Sequence, residues 1–435
     1  MEKLARSLTI KYTLIQCAFW VSHCTIFSFA AVFLQDKNFS NTQIGVVLSV
    51  AAILSILLQP LVGAFADRSE NITLKTLILS LMFIILISAC SLLILHESFL
   101  LIALVYVIII SVQFTLASLM NSLALEYVNM GIPVDYGLAR GISSVAFAID
   151  SFLLGIATDY FHGGILLNVF LVNYIVLIYL TWNFKVTIPK ELNLAASAEK
   201  DPTLNSESTD LHRSERNNVS SGILHFFIKY KQFTLFLIGV TMIFYSHNLV
   251  NSYMINIMEN VGGSGSHMGL ALSIAATLEL PVMAAFFYLI RKIRCSTLLK
   301  FSGFFFAIKS AATWMAPSVS MVLFSQSLQM LAFAIFTPAS IYYVNVIMDP
   351  KDRVKGQAML GVANLSLVGA IGGITGGKIL DTLGVSDMLL LGTVVTGIGA
   401  LILYFSTEKT ADCTCKESVK FEIKGSFHPN YTDNV

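Results

Sequence analysis

Residues 124–150 read ALEYVNMGIPVDYGLARGISSVAFAID and place four charged side chains between two strongly apolar segments. The four are Glu126, Asp135, Arg140 and Asp150. A charge at the centre of a bilayer costs about 2.5–3.5 kcal/mol on insertion scales, so such residues usually face a bundle interior or a wet cavity. Two interpretations stay open: they line a solute pathway, or the first three pair structurally at the ends of two helices. Asp150 favours the pathway, because it lies about ten residues, or roughly 15 Å of helix rise, deeper than Arg140.

The composition of the 435 residues indicates a membrane protein. Hydrophobic residues make up 56%, charged residues 12%, and the mean hydropathy is +0.76. A soluble domain carries about 25% charged residues. A net charge of +1 without a basic run gives no sign of nucleic-acid binding. The six cysteines are scattered without metal-ligand spacing. We therefore expect no metal site and no cofactor.

Apolar segments long enough to cross a hydrocarbon core of about 30 Å recur twelve times. The predicted fold is all-α, with twelve transmembrane helices near residues 10–34, 44–66, 74–95, 98–128, 137–159, 164–187, 232–258, 266–290, 297–316, 318–347, 354–380 and 385–405. Lys and Arg concentrate in one set of loops, while the other set is nearly bare apart from Lys37. Because positive loops stay inside, both termini are expected to be cytoplasmic.

A polar stretch divides the spans into two groups of six. Residues 191–222 are rich in Ser, Asn and Glu and lack periodicity, as a flexible linker does. The predicted domains are an N-terminal bundle (1–190), this cytoplasmic linker, a C-terminal bundle (223–406) and a cytoplasmic tail (407–435). A weak repeat with an offset of 217 supports the division, since Asp135, Val145 and Gly155 recur as Asp352, Val362 and Gly372. Repeated halves predict a solute site between them.

The end of the second span reads LLQPLVGAFADRS and resembles the loop signature G-x-x-(A/S)-D-(R/K) of the major facilitator superfamily, carried here by Gly63, Asp67 and Arg68. Gly63 is expected to let helices approach closely. The five glycines between Gly369 and Gly377 predict a close-packing face on the eleventh span.

Within that superfamily, both halves are similar to the lactose permease and phenylpropionate permease group, the oligosaccharide:proton symporter-like branch. The likeness rests on Gln59-Pro60-Leu61-x-Gly63, on Glu126 followed by DYGLAR, and on single residues of the second half. It implies a two-bundle secondary transporter with a solute site formed by Glu126, Arg140, Phe147, Tyr245, Glu279 and Lys309. Phe147 stands where sugar-transporting members usually carry a tryptophan.

The chain also departs from that group. A histidine and a glutamate that serve proton coupling in the tenth span of lactose permease are matched here by Gln329 and Ala332. Proton coupling is therefore predicted for other titratable side chains, with Asp150, Glu279, His23 and His247 as candidates. His23 and His247, at corresponding places in the two halves, could instead be packing residues.

The predicted function is alternating-access, proton-coupled uptake of a small polar organic solute, such as a sugar or oligosaccharide, across the plasma membrane and by a monomer. The open alternatives are an aromatic or other organic acid, a nucleoside, an efflux antiporter or a sensor with a transporter fold. No G-x-x-x-x-G-K-[ST] loop indicates an ATP-driven pump. An enzyme is not expected, because every loop except the linker is short. The expected partners are the solute, protons and the lipid bilayer.

Overall fold

The computed structural model describes residues 2–68, 72–95, 98–129, 136–184, 226–349 and 352–407. These residues are almost entirely helical. We number the α-helices α1 Glu2–His23, α2 Ala30–Asp36, α3 Asn41–Arg68, α4 Leu74–Leu92, α5 Phe99–Asn129, α6 Tyr136–Phe161, α7 Gly164–Trp182, α8 Lys231–Ser252, α9 Met254–Asn260, α10 Gly265–Lys292, α11 Cys295–Trp314, α12 Val319–Ser327, α13 Gln329–Ile347, α14 Arg353–Gly361, α15 Leu367–Thr382 and α16 Val385–Ser406.

Ten helical segments in the described part, some of them made of two successive helices, are long and apolar enough to cross a membrane, and the bent pair of α1 and α2 would make eleven. The ninth predicted span, 297–316, does form the 20-residue helix α11 but is not among them. Its sequence contains Lys300 and Lys309, which lower its hydropathy. The helices thus follow the predicted segments, while the count of twelve stays a prediction.

Several predicted spans are interrupted helices. The first bends by 50° where a π-helical turn, Cys24–Ser28, separates α1 from α2. The seventh breaks at Tyr253 between α8 and α9, and the tenth breaks at Leu328 between α12 and α13. The eleventh contains a second π-helical turn, Val362–Ser366. A π-turn changes the pairing of backbone groups locally and is frequent at functional sites, and hydropathy gives no warning of it.

The two halves meet along two helix pairs, α3 with α15 and α6 with α10. Glycines make this approach possible: a Cβ on Gly45 of α3 would collide with the carbonyl oxygen of Gly373, and a Cβ on Gly155 of α6 would collide with that of Gly265. The glycine face predicted for α15 thus packs closely. Gly63 is different, because a Cβ there would meet no heavy atom of the described residues within 4 Å. The close approach expected at Gly63 is therefore not seen among these residues, and its role in the loop signature stays a prediction.

We call the end of the molecule that carries the residues between α2 and α3 the far face, and hydrogen bonds bring the end of α15 to the same place. At the far face, Asp381 of α15 accepts hydrogen bonds from the backbone N–H of Asn41 (3.2 Å) and Thr42 (2.7 Å), at the start of α3. Asp159 of α6 accepts bonds from the hydroxyl of Ser264 (2.8 Å) and the backbone N–H of Ser266 (3.0 Å), at the start of α10.

An amide cluster strengthens the same seam. Gln35 of the N-terminal half donates to the side-chain oxygens of Asn41 (3.0 Å) and Asn256 (3.1 Å), and Asn256 donates back to Asn41 (3.2 Å). A carboxylate at a helix N-terminus satisfies free N–H groups and opposes the helix dipole. Hydrogen bonds between the halves are therefore concentrated at the far face.

Candidate functional site

A chain of three polar side chains lies inside the C-terminal half. The ammonium of Lys309 on α11 donates to the side-chain oxygen of Gln329 on α13, and the amide nitrogen of Gln329 donates to Glu279 on α10 at 2.7 Å. Lys309 is only 4% exposed and Gln329 only 7%. The two charges predicted from the sequence thus lie together, but they are bridged by Gln329 rather than directly paired. A bridged pair lets each buried charge satisfy a strong hydrogen bond.

Arg140 brings the N-terminal half to this chain. Its guanidinium, on α6, is close enough for its positive charge to act on the carboxylate of Glu279 across the interface. Arg140 also donates to the hydroxyl of Ser144 at 2.8 Å. On the same helix Ile142, Val145 and Ile149 are strongly exposed, as residues that face lipid are. Arg140 lies on the other side of α6, so the structure brings Arg140, Glu279 and Lys309 to one region between the halves.

An aromatic cluster on α1 and its continuation lies beside Arg140. The guanidinium carbon of Arg140 lies 4.0 Å from the ring centroid of Trp20, within cation–π range. His23 contacts Trp20 edge-on at 5.2 Å and stacks on Phe27 at 5.2 Å, while Phe114 of α5 completes the cluster. Trp20, His23, Phe27 and Phe114 are all half-buried.

Two polar atoms of this region have no hydrogen-bond partner among the described residues. They are Nδ1 of His23 and the amide nitrogen of Gln113, and both are buried. Native proteins rarely leave such groups unsatisfied, and water or a ligand is a usual partner. The N-terminal half therefore offers an aromatic surface next to two polar groups that can still form hydrogen bonds.

Asp150 lies deeper on α6, as its spacing predicted. One contact is the thiol of Cys24, which hydrogen-bonds its carboxylate, while Oδ2 of Asp150 is buried without a partner in the described part of the chain. A buried carboxylate oxygen with no donor is costly, and protonation lowers that cost. The environment of Asp150 suits a group that gains and loses a proton.

The remaining predicted residues have different surroundings. His247 stacks on Phe333 at 5.2 Å and lies 3.0 Å from the amide nitrogen of Asn251, with its Nδ1 buried and unpartnered. Tyr245 shares a hydrogen bond of 2.8 Å with Thr375 of α15 and is 8% exposed.

Phe147 of α6 is half-buried and packs against an apolar core cluster to which both halves contribute. The side chains of Glu126, Asp67 and Arg68, and the whole of Asp135, lie outside the described residues, so their predicted roles stay predictions.

Sequence reasoning missed Trp20, the bridging position of Gln329, and the two capping carboxylates Asp159 and Asp381. Gln329 was noticed only as a departure from a family pattern, although a polar amide in mid-span is itself a signal. An aromatic residue in an apolar span gives no such signal, because most aromatic residues there serve only in packing.

Comparison with known proteins agrees with the fold. The profile of the MFS_1-like family matches residues 12–391. Maltose permease of Geobacillus stearothermophilus is 24% identical over 396 residues, covering 89% of this chain and 92% of its own. The uncharacterized transporter YwbF of Bacillus subtilis is 23% identical over 392 residues, covering 89% and 91%.

Solved structures share the architecture at lower identity. The nucleoside transporter NupG superposes with a TM-score of 0.70 at 16% identity, covering 94% of this chain and 99% of its own. A D-xylose-proton symporter gives 0.65 at 14% identity, covering 95% and 99%. At such identities the likeness shows the fold alone. Since the family profile spans most of the chain, the protein belongs to the MFS_1-like family and is a multi-pass membrane protein of the major facilitator superfamily of secondary transporters.

Proposed function

We propose that the protein imports a small polar organic solute, such as a sugar or oligosaccharide, and couples its import to protons. One observation carries the proposal: Glu279, bonded through Gln329 to Lys309, faces the charge of Arg140 from the other half. A buried carboxylate between the two halves can bind a proton, and the loss of its negative charge then affects the contacts of both halves.

Gln329 gives this coupling a physical route. Its amide nitrogen can donate to an ionised Glu279 while its oxygen accepts from Lys309. A protonated Glu279 has a hydroxyl to donate, which suits the amide oxygen rather than the nitrogen. Turning the amide would present its N–H groups to the Lys309 ammonium, and two donors cannot bond each other. Protonation of Glu279 therefore releases Lys309 and changes the polar surface offered to the solute.

The chemistry of the site favours a hydroxylated ring over an organic acid. Lys309 is buried and already bonded to the amide oxygen of Gln329, so it is a poor anchor for the carboxylate of a solute. The half-buried ring of Trp20, the unpartnered nitrogens of His23 and Gln113, and the guanidinium of Arg140 suit the faces and hydroxyls of a sugar. A relative at 24% identity is named a maltose permease, which supports the same class. A nucleoside is the second candidate, because a flat base also stacks on an indole.

We also propose the wider arrangement predicted from the sequence. It comprises twelve spans in two six-helix bundles joined by residues 191–222, both termini in the cytoplasm, and a monomer in the plasma membrane. The seam closed at the far face would then represent a state whose site opens toward the cytoplasm.

The test uses purified protein in liposomes with an imposed pH gradient and four labelled solutes: maltose, D-xylose, uridine and 3-phenylpropionate. We expect gradient-driven accumulation of at least one ring-bearing, hydroxylated solute, abolished by a protonophore. Glu279→Gln should reduce accumulation at least tenfold but keep the exchange of solute across the membrane. The variant still binds the solute, whereas glutamine cannot take up and release the coupling proton. Glu259→Gln, an exposed glutamate on α9, is the matched control and should behave like wild type.

Two results would contradict the proposal. Accumulation that ignores the pH gradient would remove the proton from the mechanism. Accumulation of 3-phenylpropionate alone would replace the sugar class by an organic acid.

A further inference from the structure

The two halves contain a similar pair of side chains, an aromatic residue followed three positions later by a histidine. The pair is Trp20 and His23 on α1, and Phe244 and His247 on α8. In each half a basic side chain acts on the histidine, Arg140 on His23 and Lys309 on His247. The surroundings of the aromatic residue differ between the two copies.

The C-terminal copy is a closed packing unit. Phe244 is 2% exposed and lies between Phe306 and Phe336, with centroid distances of 5.4 and 5.1 Å. The cation of this half, Lys309, points away to Gln329. The C-terminal ring therefore has no free face to offer to a solute.

The N-terminal copy is less enclosed. Trp20 is half-buried and packs in part against the apolar core, and the guanidinium of Arg140 lies 4.0 Å from the centroid of its ring. His23, whose Nδ1 has no hydrogen-bond partner among the described residues, contacts the indole edge-on. A half-buried aromatic ring beneath a cation, beside an unsatisfied polar atom, has the composition of a ring-binding subsite.

We propose that Trp20 is the platform on which the solute's ring packs, taking the place of the Arg140 guanidinium over the indole, an inference that rests on the proposed function. The platform expected from the sequence was Phe147, which is also half-buried and packs against the same apolar cluster, and its predicted role stays a prediction. When the solute displaces it from the indole, the guanidinium of Arg140 turns toward the solute's hydroxyls or toward Glu279. Solute binding in the N-terminal half thereby changes the charge felt by the C-terminal half.

The experiment exploits the small number of tryptophans, three in the whole chain. Trp182 and Trp314 lie at helix ends and are 56% and 37% exposed, so both can be replaced by Phe to leave Trp20 as the sole indole. The Trp20-only protein is titrated in liposomes with maltose, D-xylose and uridine, and uptake of each is measured in parallel. For the solute that is taken up, we expect the fluorescence emission of Trp20 to change saturably. The solute concentration that gives half of this change should equal the concentration that gives half-maximal uptake.

Transport variants provide the second measurement. Trp20→Leu should raise the KM of uptake about tenfold, as expected for the loss of roughly 1.4 kcal/mol of stacking, with little change in the maximal rate. Trp20→Phe keeps a ring and should lose about threefold or less. Trp182→Leu removes an exposed indole at the membrane surface and should keep the wild-type KM.

Distinct results overturn the two proposals. Uptake by the Trp20-only protein without any change in emission, or a wild-type KM in Trp20→Leu, overturns the platform and leaves the transporter intact. Trp20→Leu that loses maximal rate at unchanged KM also overturns it, because the indole would then serve the conformational step. Failure of wild type to take up any of the three solutes overturns the proposed solute class, and the platform with it.

Discussion

At the scale of single residues, Gln329 is the side chain on which the buried charges depend. It separates Lys309 from Glu279 and satisfies both, so deleting it leaves an ammonium that is 4% exposed without its bond. Removing one partner of a buried charged contact is far more costly than removing both. Replacing Gln329 by an apolar residue is therefore expected to lower the stability of the protein substantially, although Gln329 itself carries no charge.

A double-mutant cycle measures this dependence. Gln329→Leu should destabilise the protein, and Lys309→Met in the same chain should recover part of the loss, with a coupling energy of about 1–2 kcal/mol. The measurement is the free energy of unfolding in mixed micelles titrated with SDS. If the changes in unfolding free energy of the two single variants simply add in the double variant, Lys309 finds another partner and the bridge contributes no stability.

A second residue-scale prediction concerns Lys229, at the membrane face where the chain begins. Its ammonium lies 2.7 Å from Asp349 and 2.8 Å from Asp352. Hydrogen bonds to Asp349 and then to Asp352 raise the pKa of Lys229, and its hydrogen bonds lower the pKa of both carboxyls below their ordinary value of 3.8. A lowered carboxyl pKa stabilises the fold above the ordinary pKa and ceases to do so as pH falls through the folded value.

The difference in melting temperature between wild type and Lys229→Met should accordingly be constant between about pH 6 and pH 9 and shrink as pH falls toward 3. The effect should be modest because Lys229 and Asp349 are 35% and 56% exposed and solvent screens their charges. Lys231→Met, two residues further along, is the matched control and should show no such trend. A difference that stays constant down to pH 3 would mean that the ion pair does not form in solution.

At the scale of helices, the seam at the far face depends on two carboxylates that cap helices of the opposite half. Asp381 caps α3 and Asp159 caps α10. Asp36 makes a chemically similar contact with the backbone N–H of Gly163 at 3.2 Å, but within the N-terminal half. The chain therefore contains an internal control for capping as such.

Removing a cap costs about 1 kcal/mol, which corresponds to roughly fivefold faster exchange of the amides it protects. Asp381→Ala should speed hydrogen exchange at the start of α3, and Asp159→Ala at the start of α10. Both should also shift the protein toward the state open at the far face and change transport rates. Asp36→Ala should affect only the start of α7. Equal effects of the three substitutions on transport would show that the contacts at the far face do not hold the two halves together.

The helices themselves were largely predictable, whereas their interruptions and contacts were not. Hydropathy identifies α4 or α16 because each is a continuous apolar run. It cannot locate the bend at Cys24–Ser28, where the sequence stays apolar through the π-turn. Arg140, Glu279 and Lys309 were predictable because charge in lipid is rare, while Trp20 was hidden among the 56% of residues that are hydrophobic. Gly63 illustrates the opposite case, since the motif predicts a close approach that the described residues do not show.

At the scale of the whole molecule, orientation in the membrane remains the central prediction. Lys and Arg cluster in the loops on the side of the N-terminus, so the far face should be extracytoplasmic. A fluorescent protein that matures only in the cytoplasm should fluoresce when fused to the C-terminus. Alkaline phosphatase inserted after Gly384, between α15 and α16 at the far face, should be active in bacteria. The reverse pattern would invert the molecule and turn the proposed importer into an exporter.

The chemistry of the far-face seam has a consequence for the environments in which the protein can work. The contacts described for Asp159 and Asp381 are peptide N–H groups, hydroxyls and a side-chain amide rather than basic side chains. Short contacts of this kind are screened far less by dissolved ions than separated surface charges are. Alternation between the two proposed states should therefore be nearly indifferent to salinity, which would suit the proposed importer in media of changing ionic strength.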